Sequence, residues 1–102
     1  MIRISLSDGT GRWFHKEDAW DFPEGTSWSN RKRISLATGG EDQHEVLYRT
    51  KKDNWILMQW AEPSDGTEKY LMIPVHEAVA WLLRNGYTPG ESGRFAMDSL
   101  EI

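Results

Sequence analysis

The stretch HEVLYRTKKDNWILMQWAEPSDGTEKYLMIPVHEAVAWLLRNG, residues 44–86, decides the fold. Three segments in it predict β-strands, because each is rich in apolar, β-branched or aromatic residues and is bounded by turn-forming residues. These segments are HEVLYRT (44–50), NWILMQW (54–60) and KYLMI (69–73). Both faces of NWILMQW are apolar, which is typical of a strand in the centre of its sheet.

A helix is predicted directly after the third strand, in VHEAVAWLLRN (75–85). Pro74 suits a helix start, where its missing N–H group has no cost. Apolar side chains then recur at the i, i+3, i+4, i+7 spacing of a helix that packs on one face. They are Val75, Ala78, Val79 and Leu82, with Trp81 and Leu83 widening the stripe. Asn85 and Gly86 predict a left-handed cap at the helix end.

The residues before this stretch give weaker signals. IRISL (2–6) alternates like a strand, Asp8–Gly11 predicts a turn, and Arg12–His15 can return as a second strand. KEDAWDF (16–22) fits one or two helical turns, and residues 24–43 read as a long loop with one strand signal at Arg33–Leu36.

We therefore predict one α+β domain of 102 residues, built as a two-layer sandwich. An antiparallel sheet of about four or five strands carries the C-terminal helix on one face. The regions are an N-terminal hairpin with a short helix (1–22), a loop-rich segment (23–43), the βββα core (44–86) and a partly flexible tail (87–102). Three apolar residues could dock that tail, namely Phe95, Met97 and Leu100.

One helix covers only one face of a sheet whose central strand is apolar on both. The second face can be closed by the N-terminal segment around Trp13 and Trp20, or by a second copy of the chain. We predict a homodimer that uses Trp55 and Leu57, or the edge of the sheet, as its interface. Six tryptophans in so short a chain favour such an aromatic contact surface.

Several classes of chemistry find no support in the sequence. The chain has no cysteine, so disulfides, thiolate metal sites and a cysteine nucleophile are excluded. The three histidines lack the spacing of a metal-binding pair, and no nucleophile or phosphate-loop motif occurs. We predict no catalytic residue, metal or cofactor. No apolar run has signal-peptide or membrane-spanning length, so we expect a cytoplasmic protein without membrane contact.

One group of residues could bind a partner. An aromatic side chain and three consecutive cations share the loop-rich segment, and three further cations lie at the next hairpin tip. The candidate binding patch consists of Trp28, Arg31, Lys32, Arg33, Arg49, Lys51 and Lys52. Bases could stack on the tryptophan while the cations meet phosphates. The net charge of −4 argues against polyanion binding, so a solvated basic surface is the alternative.

The spaced pattern Leu47–Thr50, Trp55, Leu57, Trp60, Glu77-Ala78, Trp81-Leu82 and Asn85 resembles a group of small bacterial and plasmid-borne proteins. Residues 34–39 (ISLATG) are similar as well, so the resemblance covers about half of the chain. That group is uncharacterised, and the resemblance implies no activity or site residue. It implies a small bacterial protein.

Three functions stay open at this point. The first is a non-enzymatic protein-binding module, with another protein or a second copy as its partner. The second is a nucleic-acid-binding accessory protein that uses the basic loop and hairpin tip. The third is a small enzyme whose site is assembled only in the fold.

Overall fold

The computed structural model describes residues 2–62 and 68–88, which form an α+β fold. In chain order the elements are β1 (Arg3–Ser5), β2 (Trp13–His15), a 3-10 turn (Lys16–Asp18), β3 (Trp20–Pro23), β4 (Thr26–Ser29), β5 (Lys32–Ser35), β6 (Gln43–Arg49), β7 (Trp55–Ala61), β8 (Lys69–Ile73) and α1 (Val75–Arg84). The three strands and the helix predicted for residues 44–86 are confirmed, with ends shifted by at most one residue.

The main sheet has four antiparallel strands in the order β3-β6-β7-β8. Strand β7 is central, as its two apolar faces indicate. In its register Leu57 lies opposite Leu47, and Met58 lies opposite Val46. The α+β class and the antiparallel sheet with a C-terminal helix are confirmed. Two separate two-stranded hairpins, β1-β2 and β4-β5, complete the described structure.

Helix α1 covers one face of the main sheet and buries the larger apolar cluster. The members of that cluster are Phe22, Leu47, Trp55, Ala78, Val79, Trp81 and Leu82. Leu83, expected on the packed stripe, is exposed. Gly86 has φ +91°, and the amide of Tyr87 donates to the carbonyl of Leu82, so the left-handed cap is confirmed.

The β1-β2 hairpin covers the other face of the sheet. A second apolar cluster joins the two, made of Leu6, Phe14, Tyr48, Ile56, Met58 and Tyr70. The N-terminal segment therefore closes this face within one chain, through Leu6 and Phe14. Trp13 and Trp20, the residues expected to do so, remain exposed. The homodimer stays a prediction.

The turn between β1 and β2 is held by its own side chains. Asp8 Oδ1 accepts hydrogen bonds from the hydroxyl and the amide of Thr10, at 2.6 and 3.0 Å. These two bonds hold the pKa of the Asp8 carboxyl below its usual value. Arg12 pairs with the same carboxylate at 3.2 Å.

The segment predicted to be a long loop with one strand signal at Arg33–Leu36 forms the β4-β5 hairpin, and β5 matches that signal with its ends shifted by one residue. Its strands pair Trp28 with Arg33 and Ser29 with Lys32. The segment before it, expected to be helical up to Phe22, is a single 3-10 turn followed by edge strand β3. The tail residues Phe95, Met97 and Leu100 lie outside the described residues.

Candidate functional site

The β4-β5 hairpin, called the arm below, comprises residues 26–35. Every residue from 26 to 33 is exposed, so the arm stands out into solvent along most of its length. Trp28 has 72% of its surface exposed, the largest value for any big apolar side chain in the described chain. The guanidinium of Arg33 lies 5.9 Å from the centre of the Trp28 ring. A tryptophan and an arginine are thus presented together, and both are enriched at interface hot spots.

The tip of the arm is a two-residue turn. Asn30 and Arg31 have φ of 50° and 66°, as the hairpin turn that matches the twist of the strands requires. Left-handed backbone is uncommon for arginine, so Arg31 is held there by the hairpin. Lys32 forms an ion pair with Glu41 at 3.6 Å. The tip therefore has a defined shape and carries three cations.

The base of the arm is anchored to the end of α1. The amide of Gly25 donates to Asn85 Oδ1 at 2.9 Å, and the amide of Leu36 donates to the carbonyl of Gly25. Asn85 is itself buried and donates to the carbonyl of Trp81. A Cβ atom on Gly25 would lie 2.6 Å from the carbonyl oxygen of Asn85, so this approach requires glycine.

The candidate binding patch is divided by strand β6 into two groups. Trp28, Arg31, Lys32 and Arg33 lie on the arm, and Lys32 reaches Glu41 just before β6 begins. Arg49, Lys51 and Lys52 lie where β6 ends, and Lys51 pairs there with Asp18 at 3.4 Å. A seven-residue strand spans about 20 Å. The structure brings the arm residues together and keeps them apart from the other three.

Arg49 is built into the fold rather than offered to a phosphate. Its guanidinium lies 5.6 Å from the ring centres of both Trp20 and Trp55, and it pairs with Asp53 at 2.9 Å. Stacking between two indole rings fixes the side chain. Of the second group, Lys51 and Lys52 remain exposed.

The candidate interface residues Trp55 and Leu57 lie beneath α1. Trp55 is only 5% exposed and belongs to the larger core cluster, on which Leu57 packs while half-buried. Alternation along β7 places both on the face that the helix covers. The side chains of Trp55 and Leu57 therefore pack in the core beneath α1 of the same chain.

A second region of interest surrounds His44 at the start of β6. Its Nδ1 lies 2.6 Å from Glu24 Oε2, and its ring stacks on Trp60 with 5.3 Å between ring centres. The other Glu24 oxygen accepts from the Ser35 hydroxyl and the Glu45 amide. The carboxylate is thereby fixed at the base of the arm and orients the imidazole.

A cavity of about 260 Å³ adjoins this pair, with residues of β6, β7 and β8 in its wall. Glu45 lines it and is buried, accepting hydrogen bonds from Trp81 Nε1 at 2.9 Å and Gln59 Nε2 at 2.8 Å. Lys69 also lines this cavity. No group of three histidine or acidic residues that could hold a metal ion occurs within residues 2–62 and 68–88.

A larger cleft of about 680 Å³ lies between the β1-β2 hairpin and the β6-β7 turn. Arg12, Trp13 and Lys51 contribute to its wall above a floor that includes Phe14 and Ile56. Two of its cations are already paired, Arg12 with Asp8 and Lys51 with Asp18. Lys52 also lines the cleft and has no ion pair with the described residues, so it is the cation of the wall that remains uncompensated.

The chain matches no protein-family model, no curated protein and no solved structure at a significant level. No helix in the described part of the chain is long and apolar enough to cross a membrane.

Sequence reasoning found the arm residues but missed the pair formed by Glu24 and His44. These residues are twenty positions apart and match no spaced motif. Their contact depends on β3 joining the edge of β6, where Pro23 lies opposite Val46. The sequence contains no motif that indicates the pairing of β3 with β6, so the contact between Glu24 and His44 could not be predicted.

Proposed function

We propose that this protein is a small binding module that contacts a protein partner through the arm, with Trp28 as the anchoring side chain. The observation that carries the proposal is the exposure of a tryptophan on a hairpin whose base is tied to the helix. Trp28 belongs to neither core cluster, and exposed aromatic residues of this kind supply much of the binding energy at interfaces.

The charge of the arm indicates the chemistry of the partner. Residues 26–35 carry three cations and no acidic residue, whereas the whole chain has a net charge of −4. An acidic protein surface complements the arm, and the acidic remainder of the chain repels such a surface elsewhere. A long polyanion would meet that same repulsion along its length, which favours a protein over a nucleic acid.

The defined shape of the arm also supports a role in protein binding. The two-residue turn and the bonds at Gly25 hold Trp28 in place before any partner arrives. A segment that is already ordered loses less conformational entropy on binding than a flexible loop does. The arm is therefore suited to specific recognition.

The test is photo-cross-linking in the native cell. A benzophenone amino acid replaces Thr26, which shares a strand face with Trp28. The expected result is one protein cross-linked by this variant and not by a probe at Glu77 on the exposed side of α1. With the purified partner, Trp28→Ala should weaken binding by about thirtyfold, the effect of a 2 kcal/mol hot spot.

Trp20→Ala is the matched control, because Trp20 is also exposed and also stacks with an arginine. It should leave partner binding unchanged. The nucleic-acid reading is tested with labelled single-stranded oligonucleotides at low salt. Binding that is lost in Trp28→Ala, with a log–log salt slope of about −0.7 per phosphate contact, would replace the protein partner with a nucleic acid.

A further inference from the structure

The β1-β2 hairpin covers only part of its face of the main sheet. Met58 on β7 and Tyr70 on β8 pack against the hairpin and are buried. Met72 lies two positions beyond Tyr70 and shares its face of the sheet, yet 40% of Met72 is exposed. Met72 lines the cleft of about 680 Å³ between the hairpin and the β6-β7 turn. The cleft therefore presents apolar surface of the sheet to solvent.

The guanidinium of Arg12 lies beside this apolar surface in a fixed position. Its Nε donates to Thr10 Oγ1 at 3.1 Å, and its Nη2 pairs with Asp8 at 3.2 Å. Among the described residues, Nη1 has only the sulfur of Met72 as a partner, at 3.7 Å. A thioether is a weak acceptor. Nη1 is therefore a positioned donor in the cleft that an anionic oxygen would satisfy better than the sulfur does.

The cleft carries more positive than negative charge, although the whole chain has a net charge of −4. Arg12, Lys51 and Lys52 line it, and the acidic residue in its wall is Asp18. Lys51 pairs with Asp18, and Arg12 pairs with Asp8. Lys52 is exposed and has no ion pair within residues 2–62 and 68–88. A ligand with one negative charge would compensate this lysine.

We propose that the cleft binds a small organic carboxylate with an aromatic body. Arg12 Nη1 donates to the carboxylate in place of the Met72 sulfur, and Lys52 supplies the compensating charge. The aromatic body packs on Met72, because a thioether makes favourable contacts with aromatic rings. Small-molecule sites have volumes of about 300–1,000 Å³, and this cleft lies in that range. Asp8 and Thr10 are positioning residues, since they hold the guanidinium.

A bare inorganic anion is the competing occupant. It would reach the same two cations but would bury none of the apolar surface at Met72. Exposed charges attract each other weakly in water and are screened by salt. An anion that carries an apolar body gains the hydrophobic contribution as well. The combination of exposed methionine, positioned donor and uncompensated lysine therefore favours the organic anion.

The test follows the ¹³C-methyl signal of Met72 by NMR in the full chain. The signal is assigned by its loss in Met72→Leu, and the buried Met58 is the internal reference. The probes are naphthalene-2-carboxylate, the uncharged naphthalene-2-carboxamide, and acetate. The naphthalene carboxylate should shift the Met72 signal in a saturable way and bind about tenfold more tightly than the carboxamide. Acetate should not saturate the signal at the same concentrations, because it lacks the apolar body.

Two variants test the cations separately. Arg12→Gln removes the positioned donor and should weaken binding of the naphthalene carboxylate about tenfold. Lys52→Gln removes an exposed charge and should weaken it about twofold to fivefold. Lys32→Gln is the matched control, because Lys32 is an exposed lysine outside the cleft, and it should change nothing. Trp28→Ala should also leave this binding unchanged, which separates the cleft from the arm.

Four results would overturn the proposal. The first is equal affinity for the naphthalene carboxylate and the carboxamide. The second is binding of the carboxylate that neither Arg12→Gln nor Lys52→Gln weakens. The third is saturation of the Met72 signal by acetate at the same concentrations, which would leave a site for bare anions. The fourth is the absence of a saturable Met72 shift with the naphthalene carboxylate at millimolar concentration.

Discussion

The β1-β2 hairpin and the arm are both pairs of short antiparallel strands, but the first packs on the main sheet and the second is exposed to solvent. In the β1-β2 hairpin, the side chains of Leu6 and Phe14 pack against the sheet and close its second face. In the arm, residues 26–33 are all exposed, and the rest of the chain is contacted at the base and through the ion pair of Lys32 with Glu41. The difference lies in the side chains, because WFH and RIS place apolar residues on an inner face and TSWS does not. A hairpin without an inner apolar face remains available for a partner.

The largest effect is expected from Phe14→Ala in the docked hairpin. Phe14 is buried against Tyr48 and Tyr70, with ring centres 5.8 and 6.0 Å apart. Truncation of a buried phenylalanine costs about 3–5 kcal/mol. Urea unfolding should show a loss in this range. A loss below about 0.5 kcal/mol, as at a surface position, would mean that the hairpin does not close the sheet.

Leu82→Ala probes the opposite face of the sheet. Leu82 is fully buried beneath α1 in the larger cluster. Its removal should cost about 2–5 kcal/mol through the cavity that it leaves. The neighbouring Leu83→Ala is the control, because Leu83 is exposed and should change the free energy of unfolding by less than about 0.5 kcal/mol.

Gly25→Ala tests the anchor of the arm and should have an intermediate effect. The added Cβ would overlap the carbonyl oxygen of Asn85 and approach the Leu36 side chain at 2.8 Å. Relief of that overlap should cost about 1–3 kcal/mol. Amide exchange should also become faster along β4 and β5 and stay unchanged in β1 and β2. Equal protection of both hairpins would contradict the assigned anchor.

Trp28→Ala should have the smallest effect on stability, about 0.5 kcal/mol or less, because the side chain lies in solvent. Phe14 would then differ from Trp28 in that only Phe14 stabilises the fold, as the proposed binding role of Trp28 requires. A loss of 2 kcal/mol in the same unfolding assay would show that Trp28 packs within the chain.

Self-association is tested by light scattering. Both sheet faces are covered within one chain, so the sheet edges β3 and β8 remain from the predicted dimer interface, and the exposed arm is a further candidate. A mass of twice 11.8 kDa is the expected result, and Trp28→Ala distinguishes the arm from the edge. A mass near 11.8 kDa at micromolar concentration would remove the dimer.

Most of the main sheet could be predicted because its signals are local. The strands β6, β7 and β8 each contain a run of apolar residues between turn formers, and α1 has both its stripe and its cap. Strand β3 was missed because Trp20–Pro23 is short, contains a proline and follows a helix-like segment. Strand β4 was missed because Thr26–Ser29 is polar, and the turn of the arm was missed because it uses Arg31 where glycine is usual.

The candidate site residues also differ in whether their grouping is local in the sequence or depends on the fold. Trp28 and the cations of residues 31–33 are neighbours in sequence, so their grouping survives in the structure. Arg49 could not be separated from them without knowing that Trp20 and Trp55 enclose its guanidinium. Glu24 and His44 meet only through the pairing of β3 with β6, which depends on the whole sheet.

The close approach at Gly25 also bears on how relatives of this protein can be recognised. A chain with the same arm must keep glycine at this position, and an asparagine sixty residues later to accept the glycine amide through its side chain. Arg31, Lys32 and Arg33 make no such close backbone approach, so other side chains fit at their exposed positions. The backbone contact at Gly25 therefore restricts sequence change more tightly than the exposed surface of the arm does.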